Sequence, residues 1–108
     1  MSQIELLQGT LDMLVLRVLS AGPMHGWGIA ARIELLSKDV LRVEEGSIYP
    51  AVYRLERKGW VKAEWGQSEN NRRARFYELT KEGKKQLATE AKDWSRMCAA
   101  IAAVMDSA

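Results

Sequence analysis

At Gly59 the hydrophobic period of the chain changes from that of a helix to that of a strand, and this switch restricts the fold more than any other feature. On its amino side Ile48, Val52 and Leu55 recur at helical spacing. Ser47 is a good N-cap, Pro50 fits a first turn where its missing N–H is no loss, and Gly59 is a good helix stop, so residues 47–58 are predicted to form a helix. On its carboxyl side two alternating runs, Val61-Lys62-Ala63-Glu64-Trp65 and Ala74-Arg75-Phe76-Tyr77-Glu78-Leu79, flank the polar stretch Gly66-Gln67-Ser68-Glu69-Asn70-Asn71. That pattern predicts a β-hairpin with a polar tip.

Three further helices are expected around this unit. Over residues 9–20, Leu11, Leu14, Val15, Val18 and Leu19 fall on one helical face, and Gly22-Pro23 ends the run. Residues 25–37 place Ile29, Ala30, Ile33 and Leu36 on one face, with Gly26 and Gly28 near the start marking a close backbone approach. Between these helices and the next, Leu41 and Val43 alternate with charges, which reads as a brief strand or an extended linker. After the hairpin, Thr80 is a candidate N-cap for a final helix carrying Leu87, Ala91, Trp94, Cys98, Ile101 and Met105. Their separations alternate between four and three, the seam of a helix that packs along a partner helix.

The fold class is therefore mainly α with a small β-hairpin (α+β), in one compact unit of 108 residues. A chain this short is marginal alone, so a dimer is expected. Helix two, its connection and helix three form a helix-turn-helix, and a hairpin directly after the second of these is the wing of a winged-helix domain. Residues 1–79 read as the winged helix-turn-helix and residues 80–108 as a dimerisation helix.

Charge and composition narrow the function. Sixteen Lys and Arg against fourteen Asp and Glu leave a net charge of only +2, so a nucleic-acid surface depends on where the charges sit. Arg72, Arg73 and Arg75, with Glu69 as the one nearby acid in sequence, form the dense positive patch that attracts phosphate. Ser47, Tyr49, Pro50 and Tyr53 lie at or near the amino end of helix three, the end that meets base edges in a helix-turn-helix, and Arg54 one turn on suits guanine or the backbone. Ser47 also reads as a plain cap, and the tyrosines as packing against the hairpin. Asp12 reads as a charge facing solvent or pairing locally. His25, the single histidine, reads first as a capping group and second as a phosphate contact.

An enzyme is a poor fit: one His, one Cys, no phosphate-binding glycine loop and no clustered carboxylates leave no acid, base and nucleophile to assemble. No metal or other cofactor is expected. The lone Cys98 excludes an intrachain disulfide and reads as a small buried apolar residue of the seam. The amino end, with Glu5 and Asp12 and no basic run, does not read as a signal peptide, and no stretch is long enough to span a bilayer. A cytoplasmic location without membrane contact is expected.

The chain resembles the PadR-type transcriptional regulators, in particular their short subgroup with one carboxyl-terminal helix. The resemblance rests on Gln8-Gly9-Thr10-Leu11-Asp12, Gly22-Pro23-Met24-His25-Gly26-Trp27, Gly46-Ser47-Ile48-Tyr49-Pro50-Ala51, Arg54-Leu55-Glu56, Gly59-Trp60, Asn70-Asn71-Arg72-Arg73-Ala74-Arg75-Phe76-Tyr77, Leu79-Thr80, Gly83 and Trp94. Trp27 and Ile48 replace a more usual Tyr and Leu. The resemblance implies a homodimeric repressor that binds a palindromic operator, with helix three in the major groove and the wing along the backbone, released by a small molecule or stress signal. It also implies that the last helix packs on helix one, adding Leu11 to the interface, and on its counterpart in the second subunit. Trp94 then reads as interface core or, with Met97 and Leu7, as the wall of a cavity for a planar hydrophobic effector. The competing reading is a winged helix that contacts protein without specific DNA binding; its wing would tolerate loss of Arg72 and Arg73.

Overall fold

The computed structural model describes residues 4–5 and 8–108. Its hub is α1 (Gln8–Leu19), on which α2 (Gly26–Leu36), α3 (Glu45–Arg57) and α4 (Lys81–Met105) all pack. Leu11, Val15, Val18 and Leu19 of the predicted face are buried, and Leu14 is partly so. Leu16, off that face, is also fully buried, because a helix enclosed on several sides has no single apolar stripe. Each such side chain contributes about 1.5–3 kcal/mol relative to exposure. Gly22, at φ +141°, ends α1 in backbone space that L side chains rarely adopt.

In α2, Ile29, Ala30 and Ile33 are buried but Leu36, expected beside them, is exposed. The chain turns away at once after this residue: Lys38 and Asp39 are left-handed, at φ +55° and +63°. The alternating segment that follows contains a two-residue strand, β3 (Leu41–Arg42), parallel to β1 (Ile4–Glu5). The Val43 N–H then donates to Glu34 Oε1 at 3.2 Å, anchoring the entry to α3.

That helix starts before Ser47. Glu44 is its N-cap, in extended backbone, and the Ser47 N–H donates to the Glu44 carbonyl at 2.9 Å. Ser47 is therefore a residue of the first turn instead of the cap. Pro50 lies inside the helix, where its missing N–H leaves the Gly46 carbonyl without a helical donor. The negative charge of Glu44 suits the positive end of the helix, a signal hidden in the sequence by the charged linker before it. Ile48, Val52 and Leu55 are buried as predicted.

The hairpin forms as expected from β4 (Val61–Gln67) and β5 (Arg73–Leu79), antiparallel, with Val61 opposite Leu79 and Trp65 opposite Arg75. A third strand, β2 (Met24–His25), pairs with the other edge of β5, giving the order β2-β5-β4. Two residues are too few to show a period, so this strand is invisible to pattern reading. At the tip, Asn71 is left-handed at φ +61°, a conformation that asparagine tolerates.

Thr80 caps α4 as predicted: its Oγ1 accepts from the Gly83 N–H at 3.0 Å and donates to the Gly59 carbonyl at 2.6 Å. Among the described residues no helix is long and apolar enough to cross a membrane.

Candidate nucleic-acid interface

Side chains two apart on a strand share a face, and this decides where the wing arginines point. Val61, Tyr77 and Leu79 occupy the inner face of the hairpin at its base, buried in the core. The same face runs on beyond the core as Trp65, Arg75 and Arg73. The Arg73 guanidinium lies 4.8 Å from the Trp65 ring centroid, in cation–π range. Arg75 donates to Glu56 of α3 at 3.0 Å. The fold therefore brings a distant acid, Glu56, to the arginine cluster. Arg72, at the turn, is exposed and makes no ion pair among the described residues.

From α3, Tyr49 and Tyr53 are both largely exposed and Pro50 is exposed, while Ser47 is half-buried. The Tyr49 ring rests on the start of α2: a Cβ at Gly26 would meet its Cε1 at 3.2 Å. His25 takes its capping role, with Nδ1 accepting from the Gly28 N–H at 3.1 Å and its ring edge-on to Phe76.

Arg54 is placed differently from the other candidates. Its Nη2 and Nε donate to Asp12 Oδ1 and Oδ2 at 2.6 and 3.1 Å, which holds its proton more firmly than usual against the opposing effect of burial. Asp12, expected to face solvent or to pair locally, instead reaches across from α1 to α3. Paired positions this far apart leave no spacing signal in a single sequence.

These elements enclose an open groove of about 850 Å³ between the start of α2, the start of α3 and the wing. Tyr49, Arg72, Arg73 and Arg75 line it, together with Trp27 and Trp65, which sequence reasoning did not assign to the site. Both tryptophans are more than half exposed. The available signal was Trp65 at an alternating position directly opposite Arg75. A groove with cationic walls and hydrogen-bonding rings is suited to a phosphate backbone and adjacent base edges.

A second cleft, of about 380 Å³, lies between α1 and α4, lined by Thr10, Met13, Glu90, Asp93, Trp94 and Met97. Trp94 and Met97 therefore come together as expected; Leu7 lies outside the described residues. Glu90 Oε1 accepts from Gln86, whereas Oε2 is buried with no hydrogen-bond partner. Along the seam of α4, Ala91, Trp94, Cys98, Ile101 and Met105 are exposed in the single chain, and Leu87 is partly buried against the core. Cys98 is exposed in the single chain, and Leu11, expected at the interface, is buried in the chain's own core. Among the described residues no three His, Cys, Asp or Glu side chains gather as a metal site would require.

Residues 15–89 match the PadR-like family of transcriptional regulators. The chain belongs to that family. A transcriptional regulator from Clostridium thermocellum has the same fold, at a TM-score of 0.78 with 28% identity, covering 87% of this chain and 88% of the other. A PadR family regulator from Clostridium difficile gives 0.76 and 26%, over 88% and 97%. A 37.1 kDa transposon protein of Streptomyces fradiae is 40% identical over 80% of this chain, which spans only 23% of that protein's length. The PadR assignment makes the chain a winged-helix, DNA-binding transcriptional regulator, in a family of regulators and not of enzymes.

Proposed function

We propose that this PadR protein is a homodimeric repressor that binds a palindromic operator and is released by a small planar hydrophobic effector. The observation that carries the reading is the groove in which Tyr49 of α3 faces Arg73 and Arg75 of the wing. In it, the amino-terminal part of α3, with Ser47, Tyr49, Pro50 and Tyr53, reads the major groove, and Arg72 and Arg73 hold the adjacent backbone. Residues 1–79 form the DNA-reading unit and residues 80–108 the dimerisation helix. Support for the pairing comes from α4, whose Met97, Ile101, Val104 and Met105 are each at least 52% exposed, a contiguous apolar face of the kind buried between subunits. Two-fold symmetry then sets the half-sites about 10 base pairs, or a multiple, apart.

The deciding experiment is binding of the purified protein to the duplex upstream of its own coding sequence, against a scrambled duplex, over a salt series. Tight binding to the upstream duplex alone is expected. Equal, weak binding to both would overturn the reading of α3 as a sequence-reading helix and favour the protein-contact role.

The effector is assigned to the α1–α4 cleft. Its lining is mostly apolar with two carboxylates, Glu90 and Asp93, so planar neutral or cationic compounds fit better than anions. N-phenyl-1-naphthylamine is expected to quench the tryptophan fluorescence of the parent protein, and Trp94→Ala to abolish the quenching. Quenching that persists in the variant would mean that Trp27, Trp60 or Trp65 reports, and the cleft assignment would fall.

A further inference from the structure

The ion pair between Asp12 and Arg54 is the most shielded one among the described residues. Its side chains are 13% and 28% exposed, whereas in the Arg42–Glu44, Lys62–Glu78, Arg75–Glu56 and Arg96–Asp93 pairs every partner is at least 30% exposed. It is also bidentate, using the Nε–Nη2 edge of the guanidinium, so it fixes direction as well as distance. The same kind of planar fork would be needed to read guanine. Turning Arg54 to DNA would strand the Asp12 carboxylate in a shielded position, a costly exchange. Apolar packing between α1 and α3 sets a preferred crossing angle with a scatter of about 15–20°, and the fork adds a directional constraint to it.

We propose that Asp12 and Arg54 act as a strut that sets the angle at which α3 is presented to DNA, making Asp12, which lies on α1, a positioning residue for recognition. The inference rests on the reading of α3 as the DNA-reading helix. It also gives α1 a double attachment. Thr10 and Met13 line the cleft with α4 while Asp12, between them in sequence, holds α3, so the seam helix and the reading helix are tied to one short segment.

The test is a double-mutant cycle with Asp12→Asn, Arg54→Gln and the double variant, plus Arg54→Lys, which keeps the charge but loses the fork. Binding to the upstream and scrambled duplexes is measured over a salt series, well below each variant's melting temperature. Each single variant is expected to lose about tenfold in the ratio of specific to scrambled binding, and the double variant to lose no more than either single. The salt slope should stay that of the parent, and the preference for one half-site spacing should relax. The double variant leaves no partly shielded charge unpaired, so it keeps the test valid if a single variant fails to fold.

A fall in binding to both duplexes with Arg54→Gln, with a salt slope smaller by about one phosphate contact and no such change with Asp12→Asn, would make Arg54 a phosphate ligand and overturn the strut. Lower melting temperatures with an unchanged specificity ratio would equally overturn it, leaving the pair a stabilising contact only. A parent protein that does not distinguish the duplexes would instead sink the reading of α3, and the strut with it.

Discussion

Gly83→Ala is expected to remove a large part of the protein's stability, with a loss of roughly 3–5 kcal/mol. Gly83 is buried in the first turn of α4, and a Cβ there would overlap the Trp60 carbonyl oxygen, with the carbonyl carbon at 2.9 Å and Leu79 Cδ2 at 3.2 Å. The obstacle is backbone, and it is held in place. The Trp60 carbonyl accepts from the Thr80 N–H at 3.0 Å, and the Thr80 hydroxyl bonds the neighbouring Gly59 carbonyl. Relief requires α4 to move off the base of the hairpin, breaking both the cap and the packing of Leu79. Domains of this size have about 5–15 kcal/mol in total, so a fall of more than 10 °C in melting temperature is expected by circular dichroism. Gly9→Ala is the control, because a Cβ at that helical position meets nothing within 4 Å. A Gly83→Ala protein melting within a few degrees of the parent would show that the junction between wing and α4 is soft.

The largest expected effect on DNA binding comes from Arg72→Ala combined with Arg73→Ala. Neither arginine is neutralised by an acid among the described residues, whereas Arg75 is paired with Glu56. If each holds one phosphate, the slope of log K against log salt falls by about 1.8, and affinity near 0.15 M salt by 10- to 100-fold. The loss should be similar on the upstream and scrambled duplexes, because phosphate contacts carry no sequence information. Arg75→Ala should cost far less, since the charge it removes is already balanced. Full retention of DNA binding by the double variant would overturn the backbone role of the wing and favour a protein-contact surface.

Long periodic elements were legible from the residues: α1, α3, the hairpin and the Thr80 cap all stand where spacing and capping chemistry put them, within a few residues. The errors have physical causes. The start of α3 was misread because Ser47 is chemically a better cap than Glu44, yet the Glu34 side chain pins the chain before it and starts the helix earlier. Leu36 fits the apolar period of α2, but the left-handed residues that follow turn the chain away from the core. In the site, the wing arginines and the tyrosines of α3 were legible as residue types. The division of labour among them was not, because it is set by Glu56 and Asp12, partners 19 and 42 residues away. Trp65 joins the groove only through the register of the hairpin.

Every residue of α4 after Glu90 is exposed, so this part of a 25-residue helix takes little burial from its own chain beyond the cleft with α1. A helical segment of that length is marginal in water without a partner. On the proposed pairing, completing the helix and joining two copies become one event, and the amount of reader competent for an operator rises with the square of the chain concentration when dimers are scarce. Control by such a protein would respond to its own abundance as a threshold: a modest fall in synthesis would empty the operator out of proportion, even with no effector present.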